Sequence, residues 1–306
     1  MHTAKIAAPA ALLALTITSW AQDELQFATA MGETLRMVYV EGGEFLMGAQ
    51  NADPQGENYY KEAQQDEAPV HREQLPSFYI SKYEVTTGLW ADIMGGDVPY
   101  GEERLAKGGV SFVAAQDFVA RLNETFAGKM PGGATFALPT EQQWEYAARG
   151  GTRHDTYVFS GGDAAAEVAE FGGTTEKPGE VGKKRANSLG LHDMSGNAQE
   201  WTQSDYVGYE ETSLPRLAYR AKVLRGGGIQ SQYERQVSVS ARAYFAETTG
   251  MQYHGRRPVL NIRPDALKPP AADRQAAGPK LAKWQGGVAV QMPNGDKHDL
   301  LGRKIE

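Results

Sequence analysis

Hydrophobic positions along the chain fall into short, separated runs. The first, Ile6 to Trp20, follows Met1, His2 and Lys5 and closes on Ser19-Trp20-Ala21, the small-x-small pattern of a secretory cleavage site. It is shorter than the roughly 18 apolar residues needed to span a bilayer, and Gln22-Asp23-Glu24 follows at once. The pattern predicts an exported chain, periplasmic or secreted. The expected divisions are a signal peptide over residues 1–21 and a leader over 22–34, with no transmembrane anchor expected in the mature chain. Met37 to Gly48 predicts two short strands around a Gly42-Gly43 turn, because positive φ is cheap for glycine. Asn51 to Gln74 is polar, acidic and turn-rich, and reads as a long surface loop. Phe78-Tyr79-Ile80, with Tyr83 and Val85 alternating beyond them, predicts another strand.

Three helices follow from caps and periodicity. Thr86 caps a short helix carrying Leu89, Trp90, Ile93 and Met94, which Gly95-Gly96 ends. Ser111 opens a second, whose Ala115, Phe118, Val119 and Leu122 take the spacing of one buried face. Thr140 and Gln143 form a capping box for a third, with Trp144, Ala147 and Ala148 inward and Gly150-Gly151 at its end. From Tyr157 onward Gly, Asn, Asp and Ser dominate, predicting loops and short strands, so the class is α+β. Pro264, Pro269, Pro270 and Pro279 mark residues 263–280 as a linker closing a domain over 35–262. Pro293-Asn294-Gly295 between two apolar runs predicts a hairpin or tail in 281–306.

The 306 residues, 41% hydrophobic, suffice for a sizeable core. The formal charge of −7 moves to about −8 when Lys5 leaves with the signal, and no basic stripe offsets it, which argues against a nucleic-acid partner. Lys183-Lys184-Arg185 reads as a solvated loop. With no Cys, neither a disulfide nor a lipid-modified N-terminal cysteine is available. The six histidines, His2, His71, His154, His192, His254 and His298, show no metal-gathering spacing, and Gly226-Gly227-Gly228 lacks the residues of a phosphate loop. Asn187 to Trp201 places carboxylates and carbonyls around a glycine turn. That arrangement suits Ca²⁺, but spacing alone favours the plainer reading, an Asp that caps a turn and a Glu that binds nearby amides.

Gly190-Leu191-His192-Asp193-Met194-Ser195-Gly196-Asn197-Ala198-Gln199-Glu200-Trp201 closely resembles the G-L-Y-D-M-x-G-N-V/A-W-E-W signature of the formylglycine-generating, or sulfatase-modifying-factor, family. Met37 to Gly48, Glu67 to His71, Phe78 to Val85, Val110 to Asn123, Leu138 to Gly150 and Val223 to Gly227 resemble further family motifs in family order. The resemblance implies a C-type-lectin-like, loop-rich α+β fold. It also implies one Ca²⁺ held by Asp193, Gly196, Ala198 and Glu200. Family enzymes hold Cu(I) between two thiolates, the soft ligands that select this ion. Here the first thiolate position aligns with Ser231, the preceding motif serine is Gly228, the next aromatic is Ile229, and the closing G-F-R is Gly255-Arg256-Arg257. The resemblance thus predicts no copper and no family oxidation.

Three functions stay open by analogy. One is a non-catalytic binding or assembly module of the cell envelope, holding a peptide, glycan or envelope protein in a groove of Arg225, Gly228, Ser231, Tyr233, Arg242, Tyr244 and His254. A second is a Cys-independent oxidoreductase acting on a peptide or secondary metabolite. The third is an activator of sulfatases by binding alone.

Overall fold

The computed structural model describes residues 23–174, 177–210 and 219–262, with the backbone of four short strands between 280 and 305. The expected signal peptide and most of the expected linker lie outside the described residues. The main unit covers Asp23–Ala266. Its strands are β1 (Glu24–Ala28), β2 (Thr34–Val40), β3 (Gly43–Met47), β4 (His71–Leu75), β5 (Phe78–Ser81), β6 (Thr135–Ala137), β7 (Gln199–Asp205), β8 (Ala221–Arg225), β9 (Arg242–Ala246), β10 (His254–Arg256) and β11 (Val259–Asn261). Its helices are α1 (Thr87–Met94), α2 (Phe112–Thr125), α3 (Glu141–Ala148) and the single turn α4 (Ala165–Val168).

The three longer helices begin where the caps place them. Thr86 Oγ1 accepts the Leu89 amide, Ser111 Oγ the Ala114 amide, and Thr140 and Gln143 form a reciprocal box. One sheet runs β1-β2-β5-β11-β6 and a second β10-β7-β8-β9, with β10 parallel to β7. In the first, Val38 lies opposite Ile80 and Val259 opposite Ile80, so both ends of the unit close on β5. Asn123 of α2 stitches β6 on, donating to Phe136 O and accepting the Phe136 amide. The largest described core cluster gathers Val40, Phe45, Met47, Ile80, Trp144 and Val259 around α3. No helix among the described residues is long and apolar enough to cross a membrane.

Three local expectations differ from the structure. The leader contains β1, paired along β2 from Glu24–Val38 to Ala28–Thr34. The stretch expected as loop up to Gln74 ends in β4, because Met47 and Phe45 need a partner strand and find it at His71 and Glu73. The strands flanking Gly42 do not form a hairpin: β2 joins the large sheet and β3 pairs with β4. Gly42 is instead required by proximity, since a Cβ there would lie 2.6 Å from both Leu75 O and Ser77 N. Separately, β12 (Lys280–Trp284), β13 (Gly287–Gln291), β14 (Lys297–His298) and β15 (Lys304–Ile305) make an antiparallel sheet in that order, with Val290 opposite His298.

Gly42→Ala should therefore destabilise the main unit by about 1–3 kcal/mol, the usual cost of overpacking. Urea unfolding of the purified protein measures it, and an unchanged midpoint would show that the crossing has room for a methyl group.

Candidate functional site

β8 ends at Arg225, and the chain then turns through Gly226 (φ 86) and Gly227 (φ 62). Arg225 is fully buried. Its Nη1 donates to Glu141 Oε1 at 2.7 Å, and its Nη2 to Glu145 Oε2 and to Val239 O, both at 2.6 Å. Arg242 from β9 binds the same Glu141 through Nε at 2.7 Å and Nη2 at 3.0 Å. Burial alone would raise the Glu145 carboxyl, but Arg149, Arg225 and the Gly48 amide hold it below its ordinary value. Buried charges of this kind are tolerable because they are paired and hydrogen-bonded. Arg225, expected in a ligand groove, is thus a strut inside the domain.

Beyond the glycine turn lies a cavity of about 110 Å³ whose walls include Gln64, Glu67, Gln199, Gln230, Ser231 and Arg242. Gly227, also in the wall, packs directly on the neighbouring backbone: a Cβ there would sit 2.2 Å from Gln236 O. Ser231 is buried, and its Oγ accepts the Gly228 amide at 3.1 Å. Gln199 Oε1 and Gln230 Oε1 are buried without a hydrogen-bond partner among the described residues. Glu67 gives Oε2 to Ser240 Oγ at 2.6 Å, and burial raises its pKa. The cavity offers amide, hydroxyl and carboxyl groups but no histidine or lysine to deprotonate Ser231.

The other expected groove residues are elsewhere. Tyr233 is 57% exposed under the Arg235 guanidinium, and Tyr244 stacks on Tyr206 with centroids 4.2 Å apart. His254 has no exposed surface and is packed among Trp201, Tyr253 and Phe245, because β10 runs beside β7 inside the unit. Burial pushes its pKa down to about 4. Of the expected groove residues, Ser231 and Arg242 line the cavity, and Gly228 reaches it only through its amide bond to Ser231 Oγ.

The acidic loop is tightly built. Asp193 (φ 57), Gly196 (φ 85) and Asn197 (φ 59) all adopt left-handed backbone. Asp193 Oδ2 accepts the Gly182 amide at 2.7 Å. Glu200 is fully buried, with both oxygens on Arg257 Nε at 3.1 Å, Oε1 also on Nη2 at 2.8 Å, and Oε2 on Trp144 Nε1 at 2.7 Å. Glu84, to which sequence reasoning gave no role, accepts the Ala198 amide at 2.7 Å and Asn197 Nδ2 at 2.5 Å. Burial, then Asp193 and Glu200, push its pKa well up. Three buried carboxylates around Arg257 suit a cation in charge. The coordination set does not fit as expected, since Arg257 and Trp144 occupy both Glu200 oxygens. Among the described residues no three His, Asp or Glu side chains converge as metal ligands.

Comparison with known proteins places this geometry. The sulfatase-modifying factor enzyme 1-like domain matches residues 22–262. The chain belongs to that family. It is 32% identical over 201 residues to the chaperone protein LppX of Paenibacillus barcinonensis, covering 50% of this chain and 70% of LppX. It is 28% identical over 204 residues to hercynine oxygenase of Mycobacterium tuberculosis, covering 53% of this chain but only 48% of that protein. The structure of Treponema denticola variable protein 1 superposes with a TM-score of 0.63 at 22% identity, over 79% of this chain and all of the other. At that identity the likeness shows the shared loop-rich α+β fold. A member without cysteine has no thiolate pair for copper.

His254 sets a pH dependence. Below its ordinary value of 6.5 the unfolded chain takes up a proton that the folded chain refuses until about pH 4. Its contribution is present above 6.5 and lost as pH falls, amounting to about 2 kcal/mol by pH 5. Urea unfolding at pH 7.5 and pH 5.0 should show His254→Phe losing less stability than wild type over that interval. Equal losses would mean that the ring is protonated in the fold.

Proposed function

We propose that this chain is an exported, non-catalytic binding or assembly module of the cell envelope, which receives a peptide segment of a partner protein at the Ser231 cavity. The observation that carries this reading is the lining: two buried amide oxygens, of Gln199 and Gln230, that have no hydrogen-bond partner among the described residues and stand with Ser231 in the cavity wall. About 110 Å³ is far below the 300–1,000 Å³ of ordinary small-molecule sites. It suits one polar side chain or a turn of peptide backbone, whose N–H groups would satisfy Gln199 and Gln230. The similarity to a protein named as a chaperone supports the same reading. Export rests on the Ile6 to Trp20 run and the small-residue pattern ending at Ala21.

The oxidative alternative draws on the similarity to hercynine oxygenase. It would need a redox centre near residues such as Tyr233, Arg242, Tyr244 and His254; of these, Arg242 and Tyr244 meet at the Tyr206 ring, while His254 is packed inside the unit. A photo-crosslinking residue in place of the exposed Tyr233 tests the binding reading in the exported full-length chain. One dominant protein adduct should form, and Gln230→Leu should reduce it at least tenfold. Adducts indifferent to Gln230→Leu, or a stoichiometric redox metal or flavin accompanied by turnover, would overturn the proposal.

Calcium beside Asp193 is a separate proposal, supported by the excess of buried carboxylates. Asp193 with the Gly196 and Ala198 carbonyls would supply oxygen ligands, and Glu200 would contribute charge. An ion at a hundredfold its dissociation constant stabilises the fold by about 2.7 kcal/mol, so EDTA should lower the melting temperature and added Ca²⁺ restore it. A melting temperature indifferent to both would remove calcium from the account.

A further inference from the structure

Arg256 stands where the family motif has its aromatic residue, and its environment keeps the character of an aromatic pocket. The side chain is fully buried. Its Cζ lies 3.8 Å from the centroid of Trp90 and 4.5 Å from that of Phe118, two rings within 6° of parallel. Nε, Nη1 and Nη2 have no hydrogen-bond partner among the described residues. Burial pulls its pKa well below the ordinary guanidinium value, but arginine starts so far above neutrality that the charge is kept. Cation–π contact with the two rings offsets part of the cost of burial. An uncompensated buried ion remains strongly unfavourable. The charge therefore lacks a counterpart within the described protein.

The same indole forms part of the wall of a cavity of about 380 Å³, together with Thr87, Ala106, Lys107, Lys177 and Gln252. Lys107 Nζ lies 5.9 Å from the Trp90 centroid and donates to Gly108 O at 2.9 Å. Burial first, and then the nearby positive charges of Arg256 and Lys177, lower its pKa. Of the acidic wall residues, Glu102 is paired with Lys177 at 2.7 Å, and Asp97 remains. The volume lies within the range of small-molecule sites.

We propose that the Trp90–Lys107 cavity binds a small organic carboxylate with a flat apolar body. The body packs on the exposed part of the indole, the carboxylate approaches Lys107, and its charge offsets Arg256 behind the ring. Benzoate and its neutral isostere benzamide are the probes, applied to the full-length mature protein at constant ionic strength, with tryptophan fluorescence and melting temperature as readouts. Benzoate should quench and stabilise in a saturable way, and benzamide at the same concentration should do neither. Arg256→Phe should weaken benzoate binding at least tenfold while raising the melting temperature without ligand. Lys107→Gln provides the same test from a partly exposed position should Arg256→Phe fail to fold. Equal responses to benzoate and benzamide, or benzoate affinity within twofold of wild type in the folded variants, would overturn the proposal. The outcome is independent of crosslinking at the Ser231 cavity.

Discussion

The Glu200–Arg257 pair holds the interior together. Arg257 gives Nε and Nη2 to Glu200, Nη1 to Ser81 O and Nη2 to His192 O, while Glu200 also accepts Trp144 Nε1. One buried ion pair thus ties β7, β5, the acidic loop and α3. Its polar groups are paired inside the protein, which makes burying two charges tolerable. Removing either partner would strand the other, at about 3–5 kcal/mol.

Trp144 extends this link to the candidate site. A Cβ at Gly226 would approach the Trp144 ring at 3.2 Å, and Gly226 O accepts the Gly196 amide at 2.8 Å. The acidic turn and the glycine turn are therefore fixed against each other, and Ser231 follows from the second. The backbone that shapes the cavity is held by charges that never enter it. The lining that this backbone shapes consists of side-chain amides, carboxyl and guanidinium groups and a hydroxyl that accepts a backbone N–H.

Buried arginines divide by their partners. Arg225, Arg242 and Arg257 have carboxylates and serve the fold. Arg256, next in chain to Arg257, faces rings instead. At the end of β10 the two neighbours part, Arg256 against the aromatic platform and Arg257, just beyond the strand, into the acidic cluster, so a similar side chain has a different energetic meaning at each place.

Much of the fold was legible along the chain. Thr86, Ser111 and Thr140 start α1, α2 and α3 because a cap is a bond across three residues, and the buried stripe of α2 follows from helical period alone. The family motifs likewise marked the glycine turn, the acidic loop and Ser231. The pairing of β3 with β4, the proximity role of Gly42 and the burial of Arg225 and His254 were not legible, since each depends on residues distant in sequence. Arg242 meets Glu141 across 101 positions and Ser240 meets Glu67 across 173. The sequence by itself determined the three capped helices, the missing thiolates and the family. Tertiary structure alone decided which charges are spent inside the domain and which polar groups are left to a ligand, because burial and pairing are properties of neighbours in space.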